Sequence, residues 1–172
     1  MSISFYDTSV RTYIQVLESA IAVMQRATEH FDAGSIDDLL EFRLVEDMLP
    51  FAFQINSIRH HSLGALEGMK VGEFAPPPKM PANTFAECLS YLEEALAQLK
   101  AVSEDEVNAL QDKEMWFRLG KEMELPFITQ NFVASFSLPN LMFHATTLYD
   151  MLRIKGVPLG KMDFLGQMRI GH

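Results

Sequence analysis

The sequence predicts an all-α protein: a four-helix bundle with a small β-hairpin before the last helix and an irregular C-terminal tail. Apolar residues recur at intervals of three and four over four separate stretches, the period of a helix with one buried face. Each stretch runs to roughly 20 residues, about 30 Å as a helix, which makes a matched set of rods for a bundle. The period shortens to two only between Met115 and Leu125. With 172 residues, 48% of them apolar, the chain can bury one substantial core. Residues 1–172 are therefore read as one domain.

The first helix is expected from Ser9 to Phe31. Val10, Tyr13, Ile14, Leu17, Ile21 and Met24 form its apolar face, Asp7, Thr8 and Ser9 offer capping oxygens, and Gly34 stops it. Ser35 to Phe42 reads as a short connecting helix. A second rod is expected near Asp47, which can cap it, with Pro50 tolerated in the first turn. Phe51, Ile55, Ile58, Ala65 and Met69 make its stripe. Val71 to Pro81 contains Pro76, Pro77 and Pro78 in a row, so it reads as a stiff, non-helical connection.

Thr84 and Glu87 have the spacing of a capping box, which sets the start of the third rod. Phe85, Cys88, Leu89, Leu92, Leu96 and Leu99 trace its buried face toward Val102. Ser103 to Glu114 is acidic and polar, a solvated loop with room for one helical turn. Met115, Phe117 and Leu119 then alternate with Trp116 and Arg118, as in a half-buried strand, and Gly120 breaks the run. A return through Met123 and Leu125 makes a hairpin. A two-residue turn sets Phe117 opposite Glu124, and a three-residue loop sets it opposite Leu125; the second pairs apolar with apolar.

The fourth rod is expected from Pro126 to Lys155, with a kink or break at Pro139. Leu141, His144, Leu148, Met151 and Leu152 share its inner face, and Gly156 and Pro158 end it. Leu49-Pro50-Phe51 with Gln54 echoes Leu125-Pro126-Phe127 with Gln130, most simply one way of starting a helix used twice. The apolar tail around Leu159, Phe164 and Leu165 can pack on its own bundle or on a neighbour, and the first is the ordinary expectation.

The formal charge is -9, from 23 acidic and 14 basic residues, which repels phosphate backbones and argues against nucleic acid. Met1 to Asp7 lacks the basic and apolar regions of a secretion signal. Charges interrupt every apolar stretch well short of the roughly 20 residues of a membrane span. A cytoplasmic protein is expected. The lone Cys88 has no disulfide partner in the chain and sits at helical spacing among Phe85, Leu89 and Leu92, as a small apolar group.

Five histidines remain, and helix position sorts them. His30 ends the first helix, where a cation suits the dipole. His172 is the final residue. His60 points away from its stripe and is expected in solvent. His61 lies at the edge of that stripe and His144 in the middle of the fourth. Imidazoles projecting inward from two helices can ligate a metal or can be core residues bonded to a neighbouring oxygen. A triad of Cys88, His61 and His144 lacks any local nucleophile turn. Glu93-Glu94 and Asp37-Asp38 read as solvated faces.

Taken together, Ser4-Phe5-Tyr6-Asp7, the stretch Asp47-Met48-Leu49-Pro50-Phe51-Ala52-Phe53-Gln54, and Leu138-Pro139-Asn140 through Phe143-His144 resemble a domain-of-unknown-function branch of the DinB/YfiT-like superfamily. The tail Gly156-Val157-Pro158-Leu159-Gly160-Lys161 with Asp163-Phe164-Leu165-Gly166 is the most specific part. The resemblance implies a four-helix bundle, a kind in which many members hold a divalent metal with three histidines and some act as metal-dependent thiol transferases. His61 matches the ligand on the second helix and His144 one of a pair four residues apart on the fourth. The third position departs: Leu148 follows His144 by four and Asn140 precedes it by four. Gln54 or Asn140 are left to complete a loose site, so Zn or Ni would be held weakly.

Three readings follow. The leading one is a small-ligand pocket near Gln54, His61, Asn140 and His144, with an incomplete metal site. The second is a divalent-metal-dependent transferase or hydrolase with His61 and His144 as ligands. The third is a non-catalytic homodimeric interaction module.

Overall fold

The computed structural model describes residues 3–32 and 34–170. Ser4 and Asp7 form a capping box over a single turn, α1 (Phe5–Thr8). The first rod, α2 (Val10–His30), follows after Ser9 and buries Val10, Tyr13, Val16, Leu17, Ala20, Ile21, Val23 and Met24. Ile14, expected on this face, is only half-buried. A 3₁₀ helix over Ile36–Glu41 buries Ile36, Leu39 and Leu40. Asp37 is not simply solvated, because its carboxylate accepts the Phe85 backbone N–H at 2.7 Å.

The second rod, residues 51–71, is one helix in three parts: α3 (Phe51–Arg59), a π-helical turn (His60–Gly64) and α4 (Ala65–Val71). It starts later than expected. Pro50 is the cap and is extended, while proline disfavours helical backbone at Leu49, so a helix begun at Asp47 cannot run through. The predicted stripe is buried throughout. His60 is the main correction. It is buried rather than solvent-facing, with Nε2 2.7 Å from the Ala75 carbonyl and its ring stacked on Phe74 at 4.2 Å. Phe74 and Ala75, in the segment after the rod, fold back over this side of it and cover the ring, and Gly64 leaves room for it: a Cβ there would lie 2.9 Å from His60 Nδ1.

The proline-rich connection contains a strand that the sequence did not signal, β1 (Glu73–Phe74), two residues long and thus too short for any alternation. The third rod, α5 (Phe85–Lys100), begins at the Thr84–Glu87 capping box as expected. The acidic stretch after it holds α6 (Glu104–Asn108) and is not wholly solvated, since Val107 and Leu110 are buried. β2 (Glu114–Leu119) and β3 (Met123–Ile128) form the hairpin, with Phe117 opposite Leu125. β1 adds in parallel to β2, so the sheet has three strands in the order β1-β2-β3. Arg118 on β2 pairs with Glu73 and Glu124 and ties all three together.

Pro126 and Phe127 belong to β3, so the fourth rod starts at Thr129 rather than Pro126. Pro50 directly precedes a helix and Pro126 does not, so the shared Leu-Pro-Phe is no structural repeat. The fourth rod, residues 129–154, comprises α7 (Thr129–Phe132), a second π-helical turn (Val133–Ser137) and α8 (Leu138–Ile154). The irregularity expected at Pro139 takes this form. Widening the turn ahead of the proline relieves its ring of the preceding carbonyls without breaking the rod.

After Gly156 (φ 90°) the tail buries Val157 and Leu159 and ends in a short helix, α9 (Lys161–Leu165), so it is less irregular than expected. It packs on its own bundle. Ser19 Oγ donates to the Phe164 carbonyl at 2.5 Å and Gln15 Nε2 to the Leu165 carbonyl at 2.9 Å. In the bundle, α3 packs against α8 and α5, and α2 against α5 and α8, around one continuous apolar core. Among the described residues no helix is long and apolar enough to cross a membrane.

Candidate functional site

The two π-helical turns lie on the second and fourth rods and touch. Ser137, buried in the second turn, donates its hydroxyl hydrogen to the His61 carbonyl at 2.7 Å. That carbonyl can only accept, so the 2.8 Å contact between Tyr13 and Ser137 has the phenol as donor. Burial pushes the Tyr13 hydroxyl well above its ordinary pKa. Tyr13, Ser137 and His61 thus link three of the four rods in one chain of hydrogen bonds. π-helical turns occur frequently at functional sites, which draws attention to what these two position.

The first turn carries His60 and His61, and His144 lies on α8 beyond the second. The rings of His61 and His144 lie 6.0 Å apart between centroids, with planes within 13°. His61 is buried and His144 half-buried. His61 Nδ1 is, among the described residues, the buried side-chain nitrogen or oxygen left without a hydrogen-bond partner. Desolvation pushes His61 down to about 3, with the neighbouring imidazoles of His60 and His144 adding to the effect. Burial alone pushes His144 down to about 4. Both rings are therefore neutral near pH 7.

Gln54 sets the state of His144. It is 2% exposed, and its Nε2 donates to the carbonyls of Leu49 at 3.0 Å and Pro50 at 3.4 Å. That fixes the amide, because the reverse orientation would set its oxygen against two carbonyl oxygens. Gln54 Oε1 then lies 2.8 Å from His144 Nδ1. An amide oxygen only accepts, so His144 carries its hydrogen on Nδ1 and a lone pair on Nε2. Asn140, one turn before His144, is half-buried and spends its Nδ2 on the Phe136 carbonyl at 2.7 Å.

Aromatic rings surround the pair. Phe74 and Phe136 lie 5.5 and 5.8 Å from His61, while Phe53 and Phe143 stand edge-on to His144 at 5.8 and 5.2 Å. Phe53 also lines a cleft of about 440 Å³ between the 3₁₀ helix, α3 and the proline-rich connection, with Asn56, Pro77, Pro78 and Met80. Asn56 braces the far wall by donating to the Pro78 carbonyl at 2.8 Å. Sequence reasoning missed Phe53 and Asn56, which lie off the apolar stripe. A half-buried aromatic between two rods leaves no periodic signal.

The residues present do not fit a three-histidine metal centre. Among the described residues no group of three or more His, Cys, Asp or Glu could hold an ion. Leu148, at the third position, is fully buried in the core, and Asn140 offers only a neutral amide oxygen, a poor ligand for zinc or nickel. Cys88 is no partner either: burial pushes its thiol up to about 12, so it is a poor nucleophile. His30 ends α2, as expected, while His172 lies outside the described residues.

Set beside known proteins, no curated protein matches this chain. A crystal structure of a DinB family member protein from Shewanella denitrificans shares the fold, with a TM-score of 0.81 at 23% identity over 97% of this chain and 94% of that one. The sequence also matches, over residues 5–165, the family described as a domain of unknown function (DUF1993). The chain belongs to that family and is a DinB-like helical bundle with a small three-stranded sheet.

Proposed function

We propose that this protein binds a small uncharged molecule on the face between its second and fourth rods, at Gln54, His61, Asn140 and His144, without a firmly held metal. The observation that carries this reading is the pairing of two neutral imidazoles from different rods, 6.0 Å apart, one of them oriented by a buried amide. Buried polar groups of this kind are costly unless they meet a partner, and a ligand group is one way to supply it. Two imidazoles without a third strong donor hold a divalent ion weakly.

One observation favours the second reading, a Zn- or Ni-dependent transferase or hydrolase: His61 Nδ1 is buried with no hydrogen-bond partner, and in the tautomer that leaves it unprotonated it can take an ion. Elemental analysis of protein purified without chelator separates the two. The proposal expects far less than one metal per chain and melting unchanged by EDTA. Near-stoichiometric Zn or Ni, lost in His61→Ala and His144→Ala, overturns it in favour of the metalloenzyme. In the metal-free case, a screen of uncharged small molecules is expected to raise the melting temperature, and more so for the wild type than for His144→Ala.

A further inference from the structure

We propose that the ligand at His144 is an uncharged molecule carrying a hydroxyl on an aromatic body, a phenol or aryl alcohol, which donates its hydrogen to His144 Nε2. This rests on the reading above and names the class of molecule it admits.

The Gln54 amide is fixed in orientation. Its Nε2 is held by the Leu49 and Pro50 carbonyls, so its oxygen faces His144 Nδ1 and only a hydrogen on that nitrogen makes the 2.8 Å contact favourable. A neutral imidazole with its hydrogen on Nδ1 presents an acceptor at Nε2. That acceptor selects by sign. A carboxylate, ether or ketone offers only lone pairs and meets another lone pair, whereas a hydroxyl offers a hydrogen. Selection against an analogue that lacks the hydrogen is strong when the site's own polar group is then left unpaired.

The surroundings choose the body of the molecule. Phe53 and Phe143 stand edge-on to the His144 ring, at 70° and 86° between planes. Phe143 is 57% exposed, an apolar ring beside the acceptor with nothing of this chain fully covering it. A planar ring laid against Phe143, with its hydroxyl directed to Nε2, satisfies both groups together.

The test uses the wild-type protein with ¹⁵N-labelled histidine and three probes: phenol, its methyl ether anisole, and benzoate. Long-range proton–nitrogen spectra report the state of each ring. The free protein is expected to show His144 protonated on Nδ1. Phenol is expected to shift the His144 Nε2 resonance and to bind about tenfold more tightly than anisole, the value of one ordinary hydrogen bond. Benzoate is expected to leave the resonance in place. In Gln54→Met, which releases the ring, the preference for phenol over anisole should shrink toward unity. A free His144 protonated on Nε2, or anisole binding as well as phenol, overturns the donor inference while leaving a pocket. Failure of all three probes to move His144 overturns the pocket and the inference with it.

Discussion

His144 Nδ1 donates to Gln54 Oε1 at 2.8 Å across two rods, joining the two polar side chains that face each other between α3 and α8. Everything chemical in this face follows from that bond, since it decides which imidazole nitrogen is left to receive a partner.

Removing the amide should therefore cost both stability and order. Gln54→Met leaves the Leu49 carbonyl and His144 Nδ1 without their partner. A loss of about 1–3 kcal/mol is expected in urea unfolding, together with a mixture of His144 tautomers by ¹⁵N spectroscopy. Unchanged stability with a single tautomer would show that the bond has no such role.

The bulge contact should behave as a unit. Ser137→Ala strips the His61 carbonyl and the Tyr13 hydroxyl of partners together, at a cost of about 2–3 kcal/mol. Tyr13→Phe should cost less, about 1 kcal/mol, because Ser137 still donates to His61. The double variant should be less destabilised than the sum of the two, as a double-mutant cycle in denaturant would report.

Gly64 gives a prediction whose sign reverses. Its absent Cβ would lie 2.9 Å from His60 Nδ1, so Gly64→Ala should destabilise the wild type by about 1 kcal/mol or more. In a His60→Ala background the clash is gone and the same change should stabilise by about 0.5–1 kcal/mol, the helix preference of alanine over glycine. Paired thermal melts check this.

Acid should act on the imidazoles. Folding depresses His61 to about 3 and His144 to about 4 from an ordinary value near 6.5. Between those limits the unfolded chain binds more protons than the folded one, so stability is full above about pH 6.5 and falls as the pH drops toward 4. Each imidazole contributes a slope of at most about 1.4 kcal/mol per pH unit. His144→Asn should flatten the curve over that window, as measured by urea midpoints from pH 4 to 8. An equally steep curve in the variant would place the titrating groups elsewhere.

Much of this was legible in the chain because periodicity reports burial. Tyr13, Ile55, Leu92 and Leu148, one from each stripe, are all buried, while Ile14, Leu89 and Leu96 are only half-buried; Thr84–Glu87 caps where its spacing said it would. Misreadings cluster where something other than the period decides. His60, opposite its stripe and expected in solvent, is buried because Phe74 and Ala75 fold back over it. Two residues were too few to mark β1, and Pro126 was read as a helix start when cross-strand pairing with Trp116 holds it in β3. Gln54, His61 and His144 were all placed between the right rods. What no spacing could convey was which way the Gln54 amide turns, because that depends on carbonyls of the chain segment before it.

The most direct measurement is the imidazole ¹⁵N spectrum of protein purified without chelator, recorded before and after EDTA. Superimposable spectra, with His144 protonated on Nδ1 in each, are what two neutral, metal-free rings must give. Joint movement of the His61 and His144 resonances on chelation would mean that an ion had been shared between them, and would contradict the account.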